Sequence, residues 1–443
     1  MRALRRGPFD PEILRLALPA LAALAADPVV SLVDTAFVGR LGAAPLASLA
    51  VAVAVFGIAF AVANFLPYGA TPLIAAATGS GDHAAAGRLG RGVLVVGVVA
   101  GAMGMLALEL AAVPVSRAMG ASAELIDGTV TYLRIRATSL PALLTVLAAH
   151  GVFRGHQDTR TPAVVSVGIS LLNLVLDPIL MFGFDLGIAG AAWATAAAQW
   201  TGAVVFVVLM AGPLRVRLGL DAGRGLELRP VFVAGAALVT RTLALVGSLT
   251  VATAVAARVG TVAVAAHQVA FQIWLFLALV VDALAVAAQA RVGAYLGGAD
   301  VSSARGLGDR LLGMGATVGL GLAVVLSLGA PFVPGWFSDD AAVVAAVGGI
   351  YPFVALTQPL NAVVFVWDGI AIGAGAFGYL ARSMLLAGVA CGGALALVLP
   401  LRLGLRGVWL AILVLMVARG ATLAWWYLHG PLARDRGHVS PAA

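Results

Sequence analysis

Residues 46–76 read LASLAVAVAVFGIAFAVANFLPYGATPLIAA, thirty-one residues without a charged side chain. A helix needs about 20 consecutive apolar residues to cross the hydrocarbon core of a bilayer, so this stretch predicts a membrane-spanning helix. The rest of the 443-residue chain is similar, since 62% of it is hydrophobic and only 11% is charged, against about a quarter charged in soluble domains. The composition therefore excludes a soluble enzyme, a disordered protein and most nucleic-acid-binding proteins.

Twelve such stretches result when the chain is divided at clusters of charge, glycine and proline. They cover residues 14–39, 46–76, 89–113, 122–152, 162–183, 189–212, 230–257, 262–296, 307–333, 342–374, 380–402 and 406–428. The first stretch is too long for a cleavable signal peptide and contains Asp27 and Asp34. We therefore predict an all-α polytopic membrane protein and number its spans 1 to 12.

The basic residues predict the orientation of these spans. All 27 are arginines, and the heavy use of alanine, glycine and valine is typical of a GC-rich bacterial genome. With the N-terminus inside, sixteen arginines fall on the inner side and five on the outer side, namely Arg40, Arg117, Arg258, Arg402 and Arg406. Because cytoplasmic loops carry the excess of positive charge, we expect a bacterial cytoplasmic-membrane protein with both termini in the cytoplasm.

Two short motifs recur at nearly the same spacing and indicate an internal repeat. GIAG at residues 187–190 returns as GLRG at 404–407, and GSGD at 79–82 returns as GGAD at 297–300. The longest inner connection, residues 213–229, divides the spans six and six. The sequence thus predicts two six-helix bundles, an N-lobe of residues 1–220 and a C-lobe of residues 221–443, as parallel repeats around a central cavity. This architecture favours a transporter.

A few polar side chains lie inside the predicted spans at matching depth. Asp34 lies about one turn from the outer end of span 1. Asn173 and Asp177 are four residues apart on span 5 and share a face. At 1.5 Å per residue, Asp177 lies roughly 22 Å above the inner start of its span, and Thr195 roughly 9 Å below the outer start of span 6. These side chains could therefore share one pocket in the outer half of the membrane.

The second half of the repeat lacks these acids. The shift that carries GIAG onto GLRG puts Ala390 and Ala394 at the positions of Asn173 and Asp177, and span 7, the partner of span 1, contains no acid. If the carboxylates only held the fold together, the C-lobe would need them too. Charges inside a bilayer are costly, so we predict a functional role for Asp34 and Asp177.

Two neighbouring carboxyl groups in an apolar site suffer from desolvation and mutual repulsion. Such a pair can hold one proton near neutral pH, or share a sodium ion with the oxygens of Asn173 and Thr195, and either cation could exchange with a cationic substrate. The sequence has no GxxxxGK[ST] motif, so the energy must come from an ion gradient or a separate subunit. We expect no cofactor, and no metal site at the single cysteine, Cys391, or the six scattered histidines.

Three further residues near this pocket carry predictions. Asp27 lies two turns before Asp34 on nearly the same face of span 1 and could line the substrate cavity. Pro28 removes a backbone amide, so span 1 is expected to bend there as a gate. Tyr132 could add an aromatic wall to the outer pocket.

Other polar residues have two open interpretations each. Gln268, Gln272, Asp282 and Gln289 of span 8 could line the C-lobe cavity or form interhelical hydrogen bonds. Asp368 lies in span 10, and His150 is its counterpart in the first half when the spacing between GSGD and GGAD is used. Both could be inner-gate residues or could face the headgroups. Arg134 and Arg136 are expected to pair with acids such as Asp127 or to extend toward the interface.

Several motifs resemble those of multidrug and toxic compound extrusion (MATE) transporters. They are VDTAFVGRLG at residues 33–42, FRGHQDTRTP at 153–162, NLVLDP at 173–178, GIAGAAWAT at 187–195 and, in the second half, AHQV at 266–269 and AAQA at 287–290. The resemblance covers almost the whole chain and is greatest to the DinF branch. The NorM branch would place acids in spans 7 and 10, and span 7 has none, although Asp368 lies in span 10.

The DinF resemblance implies a cation site in the N-lobe at the positions of Asp34, Asn173, Asp177 and Thr195, with Tyr132 nearby. It also implies antiport of protons, or of sodium, against organic cations or other amphipathic compounds. The expected partners are small molecules and the lipid bilayer, with no nucleic acid and a monomeric protein.

Two rival functions use the same architecture. A lipid or lipid-linked-sugar flippase would need several cationic side chains inside the cavity, for which Arg134, Arg136, Arg241 and Arg291 are the few candidates. A receptor or an intramembrane enzyme ranks third, since the sequence contains no metal or nucleophile constellation.

Overall fold

The computed structural model describes residues 7–212, 214–222, 224–337 and 340–433, with the side chain of Asp27 outside this description. The described residues form fifteen α-helices and no strand. The helices are α1 (Asp10–Gly39), α2 (Ala43–Ala63), α3 (Phe65–Gly79), α4 (His83–Ala118), α5 (Ile126–Ala137), α6 (Leu140–Gly155), α7 (Arg160–Pro178), α8 (Gly187–Ala211), α9 (Arg229–Val259), α10 (Thr261–Gly297), α11 (Val301–Gly329), α12 (Ala341–Leu356), α13 (Gln358–Gly373), α14 (Phe377–Val398) and α15 (Gly404–His429).

The predicted spans are confirmed. Within the described residues, ten helical segments are long and apolar enough to cross a membrane, and the pairs α5–α6 and α12–α13 bring the number to twelve if each pair is one span. Both pairs are bent by 49°. Pro141 and Pro359 lie in the first turns of α6 and α13, where a helix tolerates proline, which explains the position of each break.

The backbone repeats the pattern that the motifs predicted. Asp82 and Asp300 cap α4 and α11, accepting hydrogen bonds from the backbone nitrogens of Ala85 (2.8 Å) and Ser303 (2.9 Å). Residues with positive φ occur in corresponding loops of the two halves. The pairs are Gly42 and Gly260, Gly81 and Ala299, Gln157 and Gly375, Asp185 and Arg402, and Gly187 and Gly404. The two members of each of the first three pairs are separated by the same number of residues, and the members of the last two pairs are separated by one residue less. The first half therefore contains one additional residue between 158 and 185.

A π turn at Ile179–Gly183, immediately after α7, accommodates the additional residue. A π turn uses one residue more than an α turn, and α14, the counterpart of α7, runs to Val398 as a regular helix. Positions before the π turn therefore follow the longer spacing, that of Gly42 and Gly260. This corrects the predicted counterparts of Asn173 and Asp177 from Ala390 and Ala394 to Cys391 and Leu395.

The helix packing repeats as well. Almost every residue of α6 is buried, and α13 is buried to a similar extent along its length. A Cβ added at Gly101 would lie 2.5 Å from Pro141 Cα, and one added at Gly319 would lie 2.8 Å from Pro359 Cα. Gly101 and Gly319 are separated by the same number of residues as Gly42 and Gly260, so they are equivalent positions of the repeat. At both positions the missing side chain lets a neighbouring helix approach closely.

The helices form two compact units, one of residues 18–235 and one of the residues up to Ala17 and from Ala236 onward. The division differs from the predicted lobes at two segments. The start of α1 joins the second unit because Asp10 pairs with Arg310 and Glu12 with Arg291. Residues 221–235 join the first unit, where Arg91 Nη1 donates to the Leu220 and Ala222 carbonyls. The functional division into an N-lobe and a C-lobe stays a prediction.

Candidate functional site

The unit of residues 18–235 brings together the four residues of the predicted cation site. Asp34 comes from α1 and is 9% exposed, while Asn173 and Asp177 come from adjacent turns of α7 and are 1% and 0% exposed. Thr195 comes from α8, where its hydroxyl donates to the Ala191 carbonyl at 3.0 Å. Three helices thus converge on one buried polar cluster in an otherwise apolar bundle.

The two carboxyl groups face the same amide, since the Asn173 side chain lies within hydrogen-bond distance of both Asp34 and Asp177. Asp177 Oδ2 is buried, with no hydrogen-bond donor among the described residues. Two carboxyl groups in one apolar site repel each other when both are ionised, so the arrangement suits a pair that holds one proton.

The amide of Asn173 lies between the carboxyl groups and can serve either of them. In one orientation Nδ2 donates to Asp177 Oδ1 at 3.4 Å and to Thr195 Oγ1 at 3.3 Å. In the other orientation Nδ2 donates to Asp34 Oδ1 at 3.2 Å, and Oδ1 accepts from the Thr195 backbone nitrogen at 3.3 Å. The amide side chain can thus follow the negative charge from one aspartate to the other.

A cavity of about 230 Å³ opens beside this cluster. Asp34, Asn173, Thr195 and Tyr132 line it. Tyr132 is 4% exposed and forms part of the wall. The predicted pocket therefore exists, and its assigned residues lie in it or directly behind it.

Arg136 lines the same cavity, although the sequence named it as a cavity residue only for the flippase alternative. Its guanidinium lies 4.8 Å from the centre of the Phe56 ring, and Nη1 donates to Ser139 Oγ at 3.1 Å. The expected pairing with an acid holds for Arg134, whose Nε lies 3.6 Å from Glu109 Oε2. The spacing along α5 could have indicated this position, because Arg136 follows Tyr132 by four residues and must share its helix face.

The gate predicted in α1 remains a prediction. Pro28 lies inside α1, which continues as a helix from Asp10 to Gly39. The side chain of Asp27 lies outside the described residues, so its predicted place in the cavity is not addressed by the structure.

The polar residues of α10 occupy different environments. Gln268 and Gln272 are exposed on the surface of their unit, and Asp282 is partly buried. Gln289 is 1% exposed, and neither side-chain polar atom has a hydrogen-bond partner among the described residues. His267, not singled out from the sequence, is buried beside Phe271 and Trp409, with Nε2 3.1 Å from Thr253 Oγ1.

The counterparts His150 and Asp368 have unlike surroundings. His150 Nε2 lies 3.2 Å from Ser166 Oγ, and its ring meets the edge of Phe206. Asp368 forms an ion pair with Arg241, and Arg419 Nη2 lies 3.8 Å from Asp368 Oδ2. The sequence did not predict this ion cluster, although Arg241 and Arg419 are arginines within apolar helices.

The positions that correspond to the acid cluster in the other unit are apolar and buried. At the spacing of Gly42 and Gly260 they are Ala252, Cys391 and Leu395, which are 0%, 0% and 2% exposed. The fold is therefore built in the second unit without any of these polar groups. Among the described residues, no group of three or more His, Cys, Asp or Glu side chains could hold a metal ion.

Comparisons with known proteins agree with this architecture. Residues 19–179 and 227–395 match the family model MatE. Protein DETOXIFICATION 44, chloroplastic, of Arabidopsis thaliana is 35% identical over 445 residues, covering 95% of this chain and 82% of that protein. DNA damage-inducible protein F of Escherichia coli (strain K12) is 28% identical, covering 94% of this chain and 91% of that protein. A crystal structure of MATE in the bent conformation superposes with a TM-score of 0.85 at 22% identity, covering 95% of both chains.

Proposed function

This chain belongs to the MatE family of multidrug and toxic compound extrusion transporters, and we propose that it exports organic cations or other amphipathic compounds in exchange for protons. It is a multi-pass membrane protein. From its arginine distribution we place it in the cytoplasmic membrane of a bacterium with both termini in the cytoplasm. We expect a monomer that needs no cofactor beyond the coupling ion.

The observation that carries the proposal is the buried pair of Asp34 and Asp177 beside a cavity. Ionisable groups inside a membrane protein are costly unless they are paired or perform a function. The pair holds a proton, and an organic cation in the cavity can replace that proton as the counter-charge. Competition between the two ligands for the same carboxyl groups couples their movement in opposite directions.

Sodium is the alternative coupling ion. Asn173 and Thr195 could supply two further oxygen ligands, and oxygen is the ligand type that hard cations prefer. We favour the proton, because one proton on the two buried carboxyl groups removes their repulsion without additional ligands.

A flippase for lipids or lipid-linked sugars receives no support from this cavity. A diphosphate head would require several cationic side chains. Among the described residues that line the cavity, Arg136 is the only cation.

The test is efflux of ethidium, a fluorescent organic cation, from proteoliposomes driven by a proton gradient and, separately, by a sodium gradient. We expect the proton gradient to drive efflux and the Asp34→Asn and Asp177→Asn variants to lose at least tenfold in rate. A neutral amide keeps the shape of the carboxyl group but cannot exchange a proton.

Asp127→Asn is the matched control, because Asp127 is an exposed acid on α5 away from the cavity. It should transport at the normal rate. Undiminished efflux in both Asp34→Asn and Asp177→Asn would show that coupling does not pass through this pair. Efflux driven by sodium alone would replace the proton as the coupling ion.

A further inference from the structure

Arg136 brings a positive charge to the cavity that Asp34 lines, with the buried Asp177 behind it. The Phe56 ring and the Ser139 hydroxyl hold its guanidinium against the cavity wall. From there it faces the cavity that Asp34 also lines. Arginine stays protonated in proteins, so this charge is present in every step of transport.

The charges that face the cavity can be counted from the helices around it. Asp34 and Asp177 contribute two negative charges when both are ionised, and Arg136 contributes one positive charge. Tyr132 is a neutral phenol, and the described lining residues from α2, α6 and α8 carry no charge. Over the described side chains, the empty site therefore has a net charge of minus one, which a single proton or a single monovalent cation brings to zero.

We infer that Arg136 sets the stoichiometry of the exchange at one proton for one monovalent cation. The inference rests on the proposed antiport. A neutral site is less costly to enclose among apolar helices than a charged one. The site is neutral when it holds the proton or the substrate and charged when it is empty. The empty form therefore resists the enclosure that transport requires, and the two ligands must exchange.

An apolar groove next to the cavity defines the rest of the substrate. It measures about 290 Å³, lies between α1 and α7, and shares Val30, Asp34 and Ser170 with the charged cavity. Its other described lining residues are alanine, valine and leucine. Along α1 it extends from Ala22 to Asp34, roughly 18 Å at 1.5 Å per residue. A ligand with its charge at Asp34 can place an apolar body in this groove, so the substrate class is monovalent lipophilic cations.

The charged cavity alone is too small for a whole drug-sized ligand, since pockets for such ligands measure about 300–1,000 Å³. The charged cavity and the groove together reach that range. This agrees with a ligand that has one charged group and one apolar body.

Ethidium and propidium test the inference, because they share a ring system and carry one and two positive charges. Equilibrium binding of each dye is measured by fluorescence on the purified full-length protein without an ion gradient. Wild type should bind ethidium at least tenfold more tightly than propidium. Arg136→Gln should reverse or abolish this preference, because the empty site then carries two negative charges.

In proteoliposomes, a potassium diffusion potential tests the charge moved in each cycle. Efflux of ethidium by wild type should not respond to the potential, since one charge moves in each direction. Arg136→Gln should respond. Arg136→Lys keeps the charge and should behave as wild type in both assays, and it also guards against a variant that fails to fold.

Arg134→Gln is the matched control, two residues away on α5 and paired with Glu109 outside the cavity. It should leave both readouts unchanged. Equal dye preference in wild type and Arg136→Gln, or a wild-type exchange that responds to the potential, would overturn the inference while leaving proton-driven efflux intact. Absence of proton-driven efflux in wild type would instead overturn the proposed function, and this inference with it.

Discussion

Asn173 shows how much one side chain can contribute to a coupling site. Its amide reaches Asp177 in one orientation and Asp34 in the other, at distances of 3.4 and 3.2 Å. A third carboxylate, at this position, would add a charge to a site that already has two. An amide instead provides a donor for whichever aspartate is ionised and an acceptor for the one that holds the proton.

His156, in the loop after α6, carries a prediction on the pH dependence of stability. Burial lowers the pKa of His156, while the hydrogen bond between Nδ1 and the Val152 carbonyl at 2.9 Å acts in the opposite direction. The unfolded chain therefore binds a proton at a higher pH than the folded protein does. The contribution to stability is complete above the unfolded pKa of about 6.5 and is lost as the pH falls toward the lowered value.

The experiment is thermal unfolding of the purified protein between about pH 8 and about pH 5. We expect the loss of stability on acidification to be smaller in His156→Asn, because asparagine retains a donor near the position of Nδ1 but does not titrate. His429→Asn, an exposed histidine at the end of α15, should follow wild type. Identical pH profiles for His156→Asn and wild type would contradict the assignment.

At the scale of elements, the two units differ by one π turn and by the polar groups next to it. Asp177 lies immediately before the turn at Ile179–Gly183, and the regular helix α14 has Leu395 at the corresponding position. π turns are frequent at functional sites, because they interrupt the regular hydrogen bonding and re-aim the residues around them. The irregular element and the buried charge therefore occur together in one unit.

Helix packing at the repeated glycines gives a prediction on stability. Gly101→Ala should destabilise the protein by about 1–3 kcal/mol, the usual cost of overpacking a close contact, because the new Cβ would meet Pro141 Cα at 2.5 Å. Gly319→Ala should do the same in the other unit. Gly104→Ala on α4 is the control, since its nearest neighbour, Leu140 Cδ1, is 3.5 Å away.

Thermal or denaturant unfolding of the three variants measures the effect. Gly104→Ala should be neutral or slightly stabilising, because alanine favours a helix over glycine. A neutral result for both Gly101→Ala and Gly319→Ala would mean that the helices can move apart at this point without cost.

At the scale of the whole molecule, the chain does not divide at the middle of its sequence. The boundaries of the units fall inside α1 and α9, so each of these helices contributes to both units. The start of α1 is held in the second unit by two ion pairs, of Asp10 with Arg310 and Glu12 with Arg291. The helix that carries Asp34 is thus anchored by charge at its N-terminal end.

Exchange of the partners tests this anchor. Arg310 Nε donates to Asp10 Oδ1 at 2.5 Å, with both side chains about 15% exposed. Asp10→Arg alone should cost about 1.5–3 kcal/mol, as for a hydrogen bond between charged groups. The double variant Asp10→Arg with Arg310→Asp should recover at least half of that loss in thermal unfolding.

The pair of Arg88 and Glu227 is the control for the exchange. Its atoms are 3.6 Å apart, and more than a third of each side chain is exposed, so Glu227→Arg should cost only about 0–1 kcal/mol. If the double variant at Asp10 and Arg310 is no better than Asp10→Arg alone, the pair does not hold α1.

The spans, the repeat and the two aspartates could be predicted because each depends on the chain alone. Hydrophobic length defines a span, a recurring motif defines the repeat, and an acid in an apolar span is costly enough to be noticed. The sequence did not place Arg136 in one cavity with Asp34, because depth along a helix does not state which neighbour a side chain faces. The one-residue shift at the π turn could not be predicted either, because a single inserted residue does not change the hydropathy of the span.

The sequence by itself determined a twelve-span helical protein of two related halves with a buried acid pair in the first half, since these features follow from local hydrophobicity and spacing. Only the tertiary structure decided that the Asn173 amide reaches both Asp34 and Asp177, and that Arg136 lines the cavity beside Asp34. The physical reason is that net charge in a cavity is the sum over groups from several helices. That sum depends on the rotation and packing of each helix, which hydropathy and spacing along one chain do not specify.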